Sequence, residues 1–367
     1  MTDFNLKKIK EKILAGERLT FEDGMTLFQS NDLLTIGKLA HHVRLKKNGL
    51  KTYFTMNQHI NPTNICRNDC LFCAFYRKEG QDGAYRMSLE TVRQKVLERI
   101  EEPITEIHIV GGLDDGLPYD YYIDVVHVVK ELRPQVNIKA YTAVEIAYLA
   151  ERSGKSWAQV LDDLIEAGLN AMPGGGAEVF SERVKRKLFM DKLSADEWLK
   201  IHKIAHQKGI RTNATMLYGH IEKDEEKVEH LLKLRQAQDE SDGFLTFLPL
   251  LFHPENTRMS RLPMATGVED LKHIAISRLM LDNFDHIKAY WVMLGKDMAQ
   301  IALSFGADDI DGSVVEERIY HMAGAQSSQM LTRQQLKNII TECGFEPVER
   351  NALYQSVDTE TATVNQI

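Results

Sequence analysis

The sequence predicts an α/β protein: a (β/α)8 barrel of the TIM type, with an N-terminal helical extension and a C-terminal helical segment. Eight short apolar runs of strand length alternate with longer segments whose apolar residues recur at helical spacing. The alternation fills residues 51–313 of the 367, and about 250 residues is the usual size of one such barrel. An open, doubly wound sheet is the alternative, because a count of strands does not show whether a sheet closes.

The elements follow in order from these patterns. Residues 1–50 are predicted to form the helical extension, since apolar residues after position 4 recur at helical spacing. The predicted strands are 53–60, 104–110, 136–142, 169–172, 211–218, 244–250, 287–294 and 307–311. Ser88 and Ser194 suit helix starts, and Gly209 suits a helix end. The C-terminal segment, 314–367, is predicted to be helical over 314–350 and an exposed tail over 351–367.

Composition excludes several classes of protein. The chain has 43% hydrophobic and 27% charged residues, as soluble globular proteins have. Its net charge of −8 argues against a nucleic-acid partner. The longest apolar run, 244–252, is too short to insert into a membrane. The N-terminus lacks the apolar core of a signal peptide. With its free thiols, the chain is therefore predicted to reside in the cytoplasm.

Three of the four cysteines lie in one short stretch, with three residues between Cys66 and Cys70 and two between Cys70 and Cys73. Three thiolates at such spacing can hold three irons of a [4Fe–4S] cluster and leave the fourth iron open. An open iron can bind a small molecule and pass it an electron, which is the arrangement needed to cleave S-adenosylmethionine reductively. Phe72 would cover the cluster and exclude water.

Zinc is the alternative metal, and a zinc-stabilised binding barrel without catalysis is the alternative of another class. A structural zinc site normally has four ligands, often in two cysteine pairs. The remaining cysteine, Cys343, lies far along the chain near the end of a helix, so only His59 is at hand to complete the set. Clustered cysteines in a reducing compartment more often bind metal than remain idle.

Unusual residues follow the ends of successive predicted strands. Gly111 and Gly112 follow the second strand, Glu145 the third, and a run of three glycines with Glu178 the fourth. The stretches 219–222 and 253–256 follow the fifth and sixth strands. Because the carboxyl ends of barrel strands meet at one face, these residues are predicted to form one site.

The cysteine spacing, with an aromatic residue before the last cysteine, resembles the radical S-adenosylmethionine superfamily. Gly111-Gly112 resembles its glycine motif, although Leu113 stands where an acidic residue is usual. Four stretches resemble the branch of the futalosine pathway and the deazaflavin cofactor: HINPTNICRNDCLFCAFYR, MPGGGAE, TNATMLYGHIE and HPENT. Within this branch, IKAYTAVEI at 138–146 is most similar to the aminofutalosine synthases of menaquinone biosynthesis. The sister families are dehypoxanthine futalosine cyclases and deazaflavin-cofactor synthases.

The resemblance implies a [4Fe–4S] cluster and S-adenosylmethionine, which is consumed as a co-substrate. It implies that the 5′-deoxyadenosyl radical adds to the enolpyruvyl double bond of 3-[(1-carboxyvinyl)oxy]benzoate, giving aminofutalosine, bicarbonate and methionine. A small reducing protein such as flavodoxin or ferredoxin would donate the electron. The adenosyl group of the co-substrate is thus incorporated into the product.

The resemblance also assigns residues to the co-substrate. The main chain of Gly111 and Gly112 would receive the methionine amino group, and Lys192 its carboxylate. Glu178 would accept hydrogen bonds from the ribose hydroxyls, and the strand end from Thr215 to Glu222 would bind the adenine. Each has a structural reading as well: a turn for the glycines, a helix-start acid for Glu178, and a surface side chain for Lys192.

Four further residues are candidates for the second substrate and its protons. Arg258 could hold a substrate carboxylate, because a guanidinium suits a carboxylate better than an ammonium does. Glu145, His220 and His253 could position water or transfer protons. A structural histidine with its hydrogen bonds satisfied, and an ordinary surface arginine, are the alternatives.

Overall fold

In the computed structural model, residues 2–357 are described, with side chains from residue 6 onward. The strands are β1 Lys51–Thr55, β2 Asn57–Ile60, β3 Glu106–Ile109, β4 Asn137–Ala140, β5 Leu169–Met172, β6 Arg211–Tyr218, β7 Phe244–Leu251, β8 His286–Ile287, β9 Asp309–Gly312 and β10 Glu346–Glu349. The helices are α1 Thr2–Ala15, α2 Phe21–Gln29, α3 Leu33–Asn48, α4 Leu89–Leu97, α5 Tyr119–Leu132, α6 Ala143–Ser153, α7 Trp157–Ala167, α8 Glu182–Leu188, α9 Ala195–Gln207, α10 Asp224–Ser241, α11 Gly267–Met280, α12 Trp291–Leu294, α13 Lys296–Leu303, α14 Ile319–Met322 and α15 Arg333–Glu342.

Seven parallel strands, β2 to β8, form one sheet in sequence order. A second sheet has the order β10-β1-β9, also parallel. The two sheets are continuous, because β1 runs into β2 with only Met56 between them. Strands β1 and β2 therefore act as one broken strand that belongs to both sheets.

The barrel closes between β8 and β9. The amide of Asp308 donates to the carbonyl of Ile287, and the amide of Ala289 donates to the carbonyl of Asp309. On its other side β9 pairs with β1, where the amide of Tyr53 donates to the carbonyl of Asp308. Eight strand positions are thus linked in a ring, which confirms the predicted (β/α)8 barrel and excludes the open sheet.

The helices predicted before and between the strands are confirmed. The extension forms α1, α2 and α3; α2 and α3 pack against α10 and α11 on the outside of the barrel, and α1 packs on α2 and α3. Ser88 and Ser194 accept hydrogen bonds from the amides three residues further on, which satisfies donors that a helix start leaves free. Gly209 has a φ of 82°, a conformation that glycine adopts without strain. Within residues 2–357, the helices lack the length and apolar content of a membrane span.

The C-terminal third differs from the prediction in three places. The prediction of a strand over 287–294 was wrong beyond Ile287, since Trp291–Leu294 forms a helical turn. The indole of Trp291 donates a hydrogen bond to the carbonyl of Gly312 at 2.8 Å. The segment 314–350 contains α14 and α15 as predicted, but β10 follows them and pairs with β1. Residues 351–357 are not an exposed tail, because Ala352 is buried and Tyr354 stacks on His286 at 3.9 Å. The remainder, 358–367, lies outside the described residues.

Candidate active site

A cavity of about 340 Å³ opens at the carboxyl ends of the strands. Eleven of the predicted site residues line it: Cys66, Cys70, Phe72, Cys73, Gly111, Gly112, Glu145, Glu178, Lys192, Thr215 and His253. Thr215 lies within β6, and the others follow β2, β3, β4, β5 and β7, so the carboxyl ends of these strands converge as a barrel requires. Three predicted residues, His220, Glu222 and Arg258, do not line this cavity.

The three clustered cysteines occupy one wall of the cavity. The amide of Cys73 donates to the carbonyl of Cys70, and the amide of Cys66 donates to the carbonyl of Arg77, so the loop is held by its own main chain. Burial raises the pKa of the Cys70 thiol to about 12 and also raises the pKa of Cys73. Both thiols are therefore protonated in the absence of metal, and binding a metal would release their protons.

Lys192 lies between the cysteines and Glu178. Its ammonium forms an ion pair with the Glu178 carboxylate and lies 5.0 Å from the ring centre of Phe72. Burial alone would lower the pKa of Lys192, but the charge and hydrogen bond of the Glu178 carboxylate act against burial, and the pKa is raised. The site thus keeps a permanent positive charge beside the cysteine wall.

Gly111 and Gly112 allow the loop after β3 to pack directly on the stem of the cysteine loop. A Cβ atom on Gly112 would lie only 2.1 Å from the carbonyl oxygen of Ile65, so there is no room for a side chain at this position. The amide of Gly112 donates to Thr63 and the amide of Gly111 to Glu145. Among residues 2–357, neither glycine carbonyl receives a hydrogen bond, so these two oxygens are free to accept from a ligand.

Glu145 is buried at the start of α6, beside Gly111. Its carboxylate accepts hydrogen bonds from the amide of Gly111 at 3.0 Å and from the amide of Thr142 at 2.7 Å. Burial outweighs these bonds and raises the pKa of Glu145 to about 7. An acidic group therefore stands next to the glycine pair, although Leu113 interrupts the motif in sequence.

Thr215 joins β6 to the glycine run after β5. Its hydroxyl donates to the carbonyl of Gly174 at 2.7 Å, and its own carbonyl accepts from His230 at 2.9 Å. A Cβ atom on Gly174 would lie 2.6 Å from the carbonyl oxygen of Asn213. Gly174 thus packs directly on the main chain of β6, whereas Gly175 and Gly176 approach the side chains of Thr142 and Val144.

His253 lines the cavity, whereas His220 and Glu222 lie behind its wall. The ring of His253 hydrogen-bonds the carbonyl of Met293 at 2.9 Å. Glu222 accepts from the amides of Gly219 and His220 at 2.7 and 2.9 Å. Burial alone would raise the pKa of Glu222, but the hydrogen bonds from His220 and Gly219 outweigh it and lower the pKa to about 2. Glu222 therefore holds the shape of the loop after β6.

Arg258 lies on the outer side of the cysteine loop. Its guanidinium is 3.4 Å from the carboxylate of Asp69, and 46% of its side chain is exposed. The geometry therefore gives no support to the prediction that Arg258 holds a substrate carboxylate.

The floor of the cavity was missed by sequence analysis. It carries the charged and imidazole side chains of His59, Glu106, His108, Lys139, Lys288 and Asp311. A signal was available: in β3, Glu106 and His108 alternate with Ile107 and Ile109. Such alternation places the polar residues inside the barrel and the apolar residues against the helices. Of these six residues, sequence analysis considered only His59, as a zinc ligand.

The donor set suits an iron–sulfur cluster better than a single metal ion. Within the described side chains, no three His, Cys, Asp or Glu residues converge on a point that could hold one ion, as a zinc site requires. A cluster instead takes one thiolate per iron, so its cysteines need only surround it. Cys343 is remote from the wall, with its sulfur 3.8 Å from the carbonyl of Gln300 near α13.

Comparison with known proteins agrees with this geometry. Residues 60–234 match the model of the radical SAM superfamily, and residues 241–363 match the CofH/MqnC C-terminal region. The aminodeoxyfutalosine synthase of Thermus thermophilus is 47% identical, covering 97% of this chain and 96% of its own. The chain belongs to the radical S-adenosylmethionine superfamily.

Two further relatives are similar to the chain over nearly its full length, and one solved structure shares its fold. The aminodeoxyfutalosine synthase of Streptomyces coelicolor is 44% identical, covering 96% of this chain and 94% of its own. The 5-amino-6-(D-ribitylamino)uracil–L-tyrosine 4-hydroxyphenyl transferase of Methanopyrus kandleri is 38% identical, covering 89% and 90%. The crystal structure of methylornithine synthase aligns with a TM-score of 0.72 at 20% identity, covering 92% of this chain and 97% of that one, and so shares the fold.

Proposed function

We propose that this protein is an aminodeoxyfutalosine synthase that joins the 5′-deoxyadenosyl group of S-adenosylmethionine to 3-[(1-carboxyvinyl)oxy]benzoate. The observation that carries the proposal is the near full-length identity of 47% to a synthase of that name, against 38% to the named 4-hydroxyphenyl transferase. The cavity supports it, since the cysteine wall and the apolar side chains of Leu248 and Leu250 line the same space at the barrel mouth.

Cys66, Cys70 and Cys73 would hold the [4Fe–4S] cluster. When bound, the cluster supplies the electron that cleaves the sulfonium of S-adenosylmethionine. The chain's own residues then position the co-substrate: Lys192 neutralises the methionine carboxylate, and Glu178 accepts from ribose hydroxyls. Gly174 and Thr215, which are joined by a hydrogen bond and line the cavity together, would lie beside the adenine.

We further propose that Glu145 and the free carbonyls of Gly111 and Gly112 receive the methionine ammonium. The Glu145 carboxylate accepts a hydrogen bond from the amide of Gly111 at 3.0 Å, so it lies beside the glycine pair. A buried carboxylate would gain a positive partner when the ammonium binds, which favours its ionised form. Glu145 would thus supply the acidic group that the glycine motif usually has at the position of Leu113.

Replacing Glu145 by Gln is expected to weaken binding of S-adenosylmethionine by about 10- to 100-fold, because a charged hydrogen bond to the ammonium becomes a neutral one. Glutamine also serves at this position of a capping box, so α6 should keep its start. The dissociation constant, measured by titration of the cluster-loaded enzyme, checks this. An unchanged constant would show that Glu145 serves only as a helix cap.

In the proposed reaction, the C5′ radical forms a bond to the vinyl CH₂ of the enolpyruvyl ether. The aryl group then migrates from the ether oxygen to the carbon that bears the carboxylate. The bond to the carboxylate breaks as the ketone forms, which releases CO₂ and gives back the unpaired electron, and CO₂ takes up one water to become bicarbonate. His253 and Glu145 line the cavity and are the candidates to hold water or move protons in these steps. We propose a flavodoxin or ferredoxin as the electron donor and the cytoplasm as the location.

Anaerobic incubation of the reconstituted enzyme with dithionite, S-adenosylmethionine and the enolpyruvyl benzoate tests the function. We expect aminodeoxyfutalosine and methionine in equal amounts, identified by mass spectrometry. Free 5′-deoxyadenosine without an adenosyl-linked product would contradict the proposal and favour a cyclase or a deazaflavin-cofactor synthase. Incubation with dehypoxanthine futalosine, or with tyrosine and the ribityl uracil, would then distinguish these two.

A further inference from the structure

A row of three nitrogen-bearing side chains crosses the floor of the cavity. His59 of β2 is in register with His108 of β3, which is in register with Lys139 of β4. Residues in register on neighbouring parallel strands point to the same side of a sheet, and all three line the cavity. The two imidazole rings lie 4.7 Å apart, edge to face.

The two imidazoles of this row have no hydrogen-bond partners. Nε2 of His108 is buried without a partner, and no side-chain hydrogen bond of His59 occurs in the described part of the chain. Other buried histidines use at least one ring nitrogen: His230 bonds through both, to the amide of Phe180 and the carbonyl of Thr215. His202 and His273 also leave Nε2 without a partner, but each bonds through Nδ1. Because buried polar groups are nearly always bonded, unused donors on a cavity wall indicate a ligand that accepts hydrogen bonds.

The charges of the floor are already balanced by the chain itself. The ammonium of Lys139 lies 2.9 Å from the Glu106 carboxylate, and that of Lys288 lies 2.8 Å from the Asp311 carboxylate. Burial lowers the pKa of His59 and lowers that of His108 still further, so both rings are neutral near pH 7. Each neutral ring has one N–H to donate. The floor therefore offers two donors beside an ammonium, a set that suits a group with acceptors only.

The depth of the row in the barrel determines which part of a bound substrate contacts it. His59 is within β2, whereas the cysteines belong to the loop that follows β2, so the row lies deeper in the barrel than the cysteine wall. The vinyl carbon that bonds to C5′ must lie near the cysteine end. In the enolpyruvyl benzoate, the ring carboxylate is at the opposite end of the molecule from that carbon. Leu248 and Leu250 line the cavity and offer apolar surface to the ring.

We propose that His59, His108 and Lys139 form the binding site for the ring carboxylate of the aromatic substrate. This inference rests on the proposed function, since it takes the substrate from there. It replaces Arg258, which the structure puts outside the cavity, with donors inside it. The residues are positioning residues: they fix the depth and orientation of the ring so that the vinyl carbon faces the adenosyl group.

The test compares two substrates, 3-[(1-carboxyvinyl)oxy]benzoate and 2-phenoxyacrylate, which lacks only the ring carboxylate. We expect the wild-type enzyme to prefer the dicarboxylate in kcat/KM by about 100-fold, and His108→Phe to reduce that preference by about 10-fold or more. Phenylalanine keeps the ring packed against His59 and removes only the donor. His108→Gln, which restores an N–H, should regain part of the preference. His59→Phe provides the second variant, and His127→Gln on the exposed face of α5 is the control.

Equilibrium binding of both compounds to the cluster-loaded enzyme, by calorimetry, provides a readout that does not depend on turnover. A wild-type enzyme that binds and converts both compounds equally would overturn the proposed site. So would a His108→Phe or His59→Phe variant that loses affinity for both compounds to the same extent, because that pattern indicates a structural role. Preferential binding of the dicarboxylate without an adenosyl product would instead contradict the proposed function and leave the carboxylate site supported.

Discussion

Replacing Cys66, Cys70 or Cys73 singly by alanine is expected to lower reductive cleavage of S-adenosylmethionine by more than about 100-fold. Each thiolate would hold one iron, so two remaining thiolates cannot retain a cluster with one open corner. The thiols line one wall, and the buried Cys70 has no neighbouring cysteine outside the motif to replace it. Iron content, the spectrum of the dithionite-reduced protein, and methionine release check this under anaerobic conditions.

Cys343→Ala is the matched control for these three variants. Its sulfur contacts the carbonyl of Gln300 on the outside of the barrel and does not line the cavity. We expect its iron content and cleavage rate to stay within about twofold of the wild-type values, since a partly buried thiol contributes mainly by packing. Loss of the cluster in this variant, or its retention in any of the other three, would show that the ligands are assigned wrongly.

Asp308→Ala is expected to lower the free energy of unfolding by about 3–5 kcal/mol, because it leaves a fully buried arginine without its counter-charge. Asp308 accepts hydrogen bonds from Arg278, from His286 and from the amide of Ile287. The side chains of Asp308 and Arg278 are both completely buried. The carboxylate also stands at the point where β8 meets β9, so its loss weakens the closure of the barrel.

Guanidinium unfolding followed by circular dichroism measures this effect. Asp285→Ala is the control: its carboxylate is 81% exposed and lies 3.6 Å from Lys47, so the change should remain within about 0.5 kcal/mol. Equal stability of the two variants would mean that Arg278 is sufficiently satisfied by the carbonyls of Gly306, Phe284 and Asp285.

The first six barrel positions could be predicted from sequence because short strand segments with apolar residues alternate there with longer segments of helical periodicity. The seventh could not, because the apolar run after Ile287 is equally compatible with a strand and with a buried helical turn. Trp291 decides between them through a hydrogen bond to Gly312, a residue of another element. β10 could not be predicted either, because its sequence, EPVE, is polar and becomes a strand only by pairing with β1.

Some residues of the candidate site could likewise be predicted from sequence, and others could not. The cysteines and the glycine pair could be assigned to one cavity because each belongs to a motif with recognisable spacing, and Lys192 because related barrels have a basic residue at its place. Residues inside the barrel, such as His108 and Lys139, belong to no motif, and a charge in a strand usually indicates a solvent-facing position. Only the register between β3 and β4 shows that these two side chains meet inside the barrel.

The pairing of β1 with β9 and β10 has a consequence for synthesis. β1 is among the first barrel elements to leave the ribosome, and both of its partners are among the last. Until they emerge, β1 is an unpaired edge next to an incomplete core, a condition that invites association with other nascent chains. Contacts between the two ends of a sequence also slow folding, since the whole intervening loop must be ordered to make them. Truncation before β10 should therefore leave an edge that aggregates.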